Sequence, residues 1–170
     1  MNHKALVVID LQNDITKNYR EIIENVNRAI ERATAQSMDI VYIKHNNLSD
    51  GMRTFKPDTH GAELVSELHV VSENIFIKTK SNALTSEEFA AFINAHSITE
   101  FYIVGADAAA CVKSTCYNMT KVGYTVHVLS DCITSYDKKK LPEMTAYYAS
   151  KGCTVARLDE VLPPDGSALG

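Results

Sequence analysis

The chain has 170 residues, 45% hydrophobic and 22% charged, which fits one globular domain with a real hydrophobic core. Its formal net charge of −4 and a single short basic run, Lys138-Lys139-Lys140, argue against non-specific nucleic-acid binding. No apolar run reaches transmembrane length, and MNHKALVVID carries no secretory pattern. Cys111, Cys116, Cys132 and Cys153 lack disulfide or zinc spacing, so the expectation is a cytoplasmic protein with reduced thiols and no membrane partner.

Ala5 to Ile9 predicts a buried strand that ends at Asp10. A polar connection, Leu11 to Lys17, leads to a helix over Tyr19 to Ala35, where Ile22, Ile23, Val26, Ala29, Ile30 and Ala33 form an apolar stripe. Ile40 to Ile43 is the second strand, followed by Lys44 and His45. The polar segment from Asn46 to His60, with Gly51 and Pro57, predicts a loop over the sheet edge. Gly61 to Leu68 has the spacing of a short helix, and Asn74 to Ile77 that of a third strand stopping at Lys78. Thr85 and Glu88 read as a capping box for a helix that buries Phe89, Phe92 and Ile93.

The fourth strand, Phe101 to Val104, ends at Gly105, and a helix from Ala109 to Lys121 follows, closed by Gly123. Tyr124 to Leu129 predicts a fifth strand ending at Ser130-Asp131. A helix from Leu141 to Ser150 stops at Gly152, and Cys153 to Leu158 is a sixth strand. Residues 1–162 read as a single domain and 163–170 as a mobile tail. Strands alternating with helices predict an α/β sandwich around a mostly parallel sheet. The first strand runs into Asp10-Leu11-Gln12-Asn13-Asp14 with no Gly-rich loop, so dinucleotide and P-loop readings fail and no cofactor is expected.

Asp10, Lys78 and Cys111 each follow an apolar strand and precede a turn, which places all three at the carboxyl edge of the sheet. Taken singly, Asp10 reads as a turn cap, Lys78 as an edge lysine and Cys111 as a small buried hydrophobe. Taken together they form a chemically coherent set. An ammonium and a helix N-terminus favour the thiolate, and a carboxylate can take the thiol proton and later deliver it to a leaving group. A Cys111 thiol that ionises well below the ordinary range is the corresponding expectation.

Several segments resemble the isochorismatase-like cysteine hydrolases, a superfamily that includes nicotinamidases, N-carbamoyl amide hydrolases and isochorismatases. LVVIDLQND resembles the first-strand motif, KTKSNAL the lysine segment, and GADAAACVKST the Gly-x-x-Thr-x-x-Cys-Val motif; GYTVHVLSDCITS and THGAELVSEL are also similar. The resemblance implies a Rossmann-like, three-layer α/β/α sandwich with a six-stranded parallel sheet, assembled as a homodimer or homotetramer. It implies a triad of Asp10 as proton shuttle, Lys78 assisting thiolate formation and Cys111 as nucleophile. It further implies a cis peptide between Ala106 and Asp107, with the N–H groups of Asp107 and Cys111 as oxyanion hole. Gln12 and Asn82 are the expected pocket residues for a small-molecule substrate.

The chain departs from the pattern at several positions. Ala108 stands where the motif has Thr, and Asp107 replaces a small apolar residue. Asp107 aimed into the oxyanion hole would oppose the developing charge; aimed at the pocket it would favour a cationic substrate. Asn82 and Leu84 replace Ser and Phe, and Ile15 an aromatic. The metal-binding Asp-x-His…His pattern is not matched by His45 and His60 with Asp50 and Asp58 nearby, so no metal site is expected. Retention of Cys111 favours hydrolysis of an amide or carbamoyl C–N bond. Vinyl-ether hydrolysis of an isochorismate-like compound and a non-catalytic binding or assembly role are the alternatives.

Overall fold

The computed structural model describes residues 3–164; the part of the expected tail from 165 onward lies outside them. Six strands form one all-parallel sheet: β1 (Lys4–Ile9), β2 (Asp39–His45), β3 (Ile75–Lys78), β4 (Glu100–Ala106), β5 (Thr125–Thr134) and β6 (Thr154–Ala156). Their spatial order is β3-β2-β1-β4-β5-β6. Helices α1 (Ile23–Ala35) and α5 (Leu158–Val161) cover one face, and α2 (Glu87–Ala95), α3 (Cys111–Val122) and α4 (Leu141–Ser150) cover the other, giving the three-layer α/β/α sandwich. No helix among the described residues is long and apolar enough to cross a membrane.

A parallel sheet covered on both faces needs apolar side chains at successive positions, not alternate ones. In β1, Leu6 and Val8 enter the core beneath α1, while Ala5, Val7 and Ile9 enter the opposite core, and all five are fully buried. The α1 stripe of Ile23, Val26, Ala29, Ile30 and Ala33 packs on the first core. Each of its larger members contributes roughly 1.5–3 kcal/mol through burial. Phe89 and Ile93 of α2, Val112, Cys116 and Met119 of α3, and Met144 and Tyr148 of α4 fill the second core.

Several local expectations are corrected. Residues Thr16–Asn18 and Arg20–Ile22 are separate 3-10 turns, so α1 begins only at Ile23. The segment Gly61–Leu68 is no helix: after a 3-10 turn at His60–Ala62 the chain is extended at Glu63. Leu64 bridges Gln12, and Val65 N–H donates to the Leu11 carbonyl at 3.0 Å. Val65 and Leu68 are buried as their apolar character requires, but the backbone finds its partners in the first-motif loop. Asn82 caps the turn Ala83–Thr85, and this moves the N-cap of α2 from Thr85 to Ser86, which accepts from Phe89 N–H. Strand β6 is shorter than expected, since Leu158 already starts α5.

β5 continues past Ser130-Asp131 to Thr134. Its register against β4 shifts, with Ile103 opposite Val128 but Gly105 opposite Ile133. This irregularity lets Asp131 turn aside and accept the Leu158 N–H at 2.9 Å. It also carries Thr134 and Ser135 up beside the end of β4.

Gly105 sits opposite Ile9 in the β1–β4 pairing, with φ of +118°. A Cβ there would lie 2.2 Å from the Ile9 carbonyl oxygen, so backbone meets backbone and no side chain can yield. Gly105→Ala is therefore expected to cost about 3 kcal/mol or more and to lower the melting temperature by roughly 10 °C, read by thermal denaturation. A variant melting within a degree or two of the parent would contradict this close approach.

Candidate active site

Four adjacent strands in the order β3-β2-β1-β4 each deliver one side chain at the carboxyl end: Lys78, His45, Asp10 and Cys111. The strand order reverses direction between β1 and β4, the place where open α/β sheets hold their ligands. Strands lie about 4.8 Å apart, so Lys78 must reach across roughly two spacings to meet Asp10, which only a long side chain can do. Lys78 is 1% exposed and Asp10 2% exposed.

The Lys78 ammonium has three protons and three acceptors. Its Nζ lies 3.1 Å from Asp10 Oδ2, 3.3 Å from Cys111 Sγ and 2.7 Å from His45 Nδ1. Because His45 Nδ1 accepts, the proton of the neutral ring sits on Nε2 and is donated to Asn47 Oδ1 at 2.9 Å. Burial lowers the His45 pKa below its ordinary value and Lys78 lowers it further, against Asp10 and Asn47. The ligand-capable atoms of Asp10, His45 and Cys111 lie within 4.8 Å of one another, a spacing suited to a cation. The cation they surround is Lys78 Nζ, so with this lysine in place the cluster does not fit a metal ion. His60, the other histidine considered from sequence, is exposed and lies beside Glu63.

Cys111 is the first residue of α3, so its N–H is an orphan donor of a helix N-terminus. Its thiol corrects one expectation. Burial pushes the Cys111 pKa up, the Asp10 carboxylate pushes it further, and Lys78 offsets this only in part, leaving it at about 12. The resting sulfur is therefore a thiol beside a carboxylate, not a preformed thiolate. Asp10 Oδ1 is buried with no hydrogen-bond partner, which leaves one carboxylate oxygen free to receive a proton.

The peptide bond between Ala106 and Asp107 is cis. The Asp107 side chain is held by four donors: Oδ1 accepts from Ser135 Oγ at 2.7 Å and Ala109 N–H at 2.8 Å. Oδ2 accepts from Tyr136 N–H at 2.9 Å and Tyr19 Oη at 3.0 Å. Burial would push this carboxyl up, but the four hydrogen bonds outweigh it and hold it below the usual carboxylate range. The hydrogen-bonding capacity of this carboxylate is thus spent on Ser135, Ala109, Tyr136 and Tyr19.

The expected pocket residues are also placed differently. Gln12 is fully buried, and its amide donates to the carbonyls of His45 (2.9 Å) and Ala62 (2.7 Å) and accepts from His45 N–H at 2.9 Å. It clasps the end of β2 and has no group left for substrate. Asn82 Oδ1 is used in capping Leu84 N–H. Two clefts of about 310 and 330 Å³ flank Ile77; the second is lined by Asn46, Asp58 and Thr59 of the 46–60 loop, and neither is lined by Cys111. His45, Tyr19 and Ser135 were not singled out from sequence as site residues. His45 carried the same signal as Asp10 and Lys78, a polar residue closing an apolar strand.

Two outcomes follow from these charges. Asp10→Asn removes an anion that raises the Cys111 pKa while leaving Lys78, so iodoacetamide alkylation at pH 8 should accelerate, roughly tenfold per unit by which the pKa falls. Slower alkylation would show that Asp10 does not oppose the thiolate. The fold favours neutral His45, so below about pH 6.5 the native chain binds fewer protons than the unfolded one, and stability is lost as pH falls through the lowered value. Each unit of displacement is worth roughly 1.4 kcal/mol, and a His45→Gln variant should melt with a shallower pH dependence across that window. Identical slopes would remove His45 from the account.

The sequence model of the isochorismatase domain matches residues 4–160. The uncharacterized isochorismatase family protein YddQ of Bacillus subtilis (strain 168) is 22% identical over 157 residues, covering 85% of this chain and 87% of that protein. A cysteine hydrolase from Pseudomonas syringae pv. phaseolicola 1448A superposes with a TM-score of 0.86 at 16% identity, over 96% of this chain and 93% of the other. N-carbamoylsarcosine amidase from Thermoplasma acidophilum gives 0.80 at 21% identity, over 92% and 96%. The pyrazinamidase of Pyrococcus horikoshii, in complex with zinc, gives 0.82 at 20%, over 92% and 99%. At these identities the superpositions speak for the fold, while the match across nearly the whole chain settles descent: the chain belongs to the isochorismatase family and is a hydrolase of that family.

Proposed function

We propose that this hydrolase cleaves the C–N bond of a small amide or carbamoyl compound through a covalent Cys111 intermediate. The observation that carries the reading is the Lys78 ammonium hydrogen-bonded to both Asp10 Oδ2 and Cys111 Sγ, with Asp10 Oδ1 buried and unpaired. The amidase and pyrazinamidase among the structural neighbours are consistent with it.

In this mechanism Asp10 takes the thiol proton as Cys111 attacks the carbonyl carbon. The pair of electrons pushed onto oxygen is met by the N–H groups of Asp107 and Cys111. Protonated Asp10 returns its proton to the departing nitrogen, which leaves a thioester on Cys111. Water, deprotonated by Asp10, then attacks the thioester, and the thiol regains its proton as the acid departs. Lys78 stays charged throughout and offsets the negative charge wherever it resides. The chemistry asks for no metal or organic cofactor.

A panel of small amides and carbamoyl compounds is the test. Turnover should fall by at least about 10³-fold in Cys111→Ala, and mass spectrometry of the quenched parent enzyme should show an acyl group on Cys111. Full activity in Cys111→Ala would overturn the covalent route. No turnover of the panel by the parent, with an isochorismate-like vinyl ether cleaved equally by parent and Cys111→Ala, would favour instead protonation of the vinyl ether by Asp10, a reaction that needs no thiol.

A further inference from the structure

Asp107 places a carboxylate in the peptide segment that, in the proposed reaction, supplies the oxyanion hole. A negative charge in that position is an obstacle unless its oxygens are held by donors of the scaffold. They are. Its four donors come from three parts of the chain: Ala109 in the turn leading into α3, Ser135 and Tyr136 just past β5, and Tyr19 ahead of α1. The rest of the segment is pinned as well. Ala108 N–H donates to the Thr134 carbonyl at 2.9 Å, and its own carbonyl accepts from Tyr148 Oη. The Asp107 carbonyl accepts from both Ala110 and Val112 N–H, at 3.0 and 3.1 Å. The position with Ala108 in place of a hydroxyl residue is thus held by backbone and by the neighbouring carboxylate.

We infer that Asp107 is a positioning residue for the oxyanion hole: its carboxylate ties the 106–111 turn to β5 and to Tyr19, fixing where the Asp107 and Cys111 N–H groups point. The inference rests on the proposed nucleophilic role of Cys111. Charge and geometry both matter, and Asp107→Asn removes the charge and one clamp while keeping the size of the side chain. Each carboxylate oxygen accepts one hydroxyl and one backbone N–H. An amide NH₂ in either place faces a backbone N–H that cannot turn round to accept, so whichever way Asn sits, one clamp, to Ala109 or to Tyr136, is lost. A displacement of the order of 1 Å in an oxyanion donor costs about 10²-fold in rate.

Two reagents on the same sulfur provide the test. Acylation by p-nitrophenyl acetate passes through a tetrahedral oxyanion; alkylation by iodoacetamide displaces iodide at carbon and forms none. In Asp107→Asn, acylation of Cys111 should slow by about 10- to 100-fold while alkylation stays within about twofold of the parent, with the label located on Cys111 by mass spectrometry. A parallel fall in both rates, or no change in either, overturns the inference. Should Asp107→Asn fail to fold, the double variant Tyr19→Phe/Ser135→Ala leaves only the two backbone donors on the carboxylate. The same selective loss of acylation is expected there, smaller in size, and its absence is equally decisive. Failure of the functional reading itself would show differently, as a parent protein in which neither reagent selects Cys111.

Discussion

The structure depends on one buried ammonium. Lys78 Nζ has almost no access to water, and an isolated charge in that position would be too costly to keep. It is kept because three acceptors meet it at hydrogen-bond distance, one of them the full negative charge of Asp10. The relationship is reciprocal, since Asp10 is buried too and has Lys78 as its counter-ion. Neither group could be there without the other, and Cys111 lies within reach of both only because the two are fixed.

The first-motif loop extends this constraint outward. Asp10 has a positive φ of 55°, tolerable for Asp, as the chain leaves β1. Two residues on, Gln12 clasps the backbone of His45 from both sides, and Asp14 Oδ2 accepts the N–H of Phe55, whose ring packs edge-on against His45. Asp10, Gln12 and Asp14 thus act on a common object, the end of β2 and the acceptor it offers to Lys78. Gly105 completes the arrangement by letting β4 approach β1 closely enough for Cys111 to face Asp10.

The strands and their polar terminal residues were legible because a parallel sheet buried on both faces writes continuous apolar runs, and a charged residue closing such a run stands out. What failed was whatever depends on hydrogen bonds between segments distant in sequence. Gly61–Leu68 has helical spacing, yet its backbone pairs with Leu11 and Gln12 some fifty residues earlier. Ser130-Asp131 has the composition of a turn, yet β5 runs on because Asp131 has a partner in Leu158. Gln12 and Asn82 are polar residues near a site, and nothing in one sequence separates a side chain that binds a ligand from one that satisfies a neighbour's backbone. The sign of the Cys111 pKa shift was missed for a related reason. Spacing places Lys78 near the sulfur, but the balance among burial, Asp10 and Lys78 is a matter of ångströms.

For the proposed mechanism, that balance decides how a thiol with so high a pKa would serve as nucleophile. At rest the trio is a carboxylate, an ammonium and a thiol; after proton transfer it is a carboxylic acid, an ammonium and a thiolate. The net charge of the buried cluster is zero in both states, so no uncompensated ion is created in the interior. The ammonium is 3.1 Å from the oxygen and 3.3 Å from the sulfur, nearly equidistant. With an effective dielectric constant of about 20, its attraction for a unit charge on the two atoms differs by only ~0.3 kcal/mol. Lys78 therefore does little to choose between the two states and stabilises both. The thiol pKa is high for loss of the proton to solvent, which would leave two anions to one cation. Transfer to Asp10 does not meet that penalty. In the proposed reaction a cluster of this kind holds its thiol protonated against bulk base and passes the proton inward to Asp10 as an electrophile receives the sulfur.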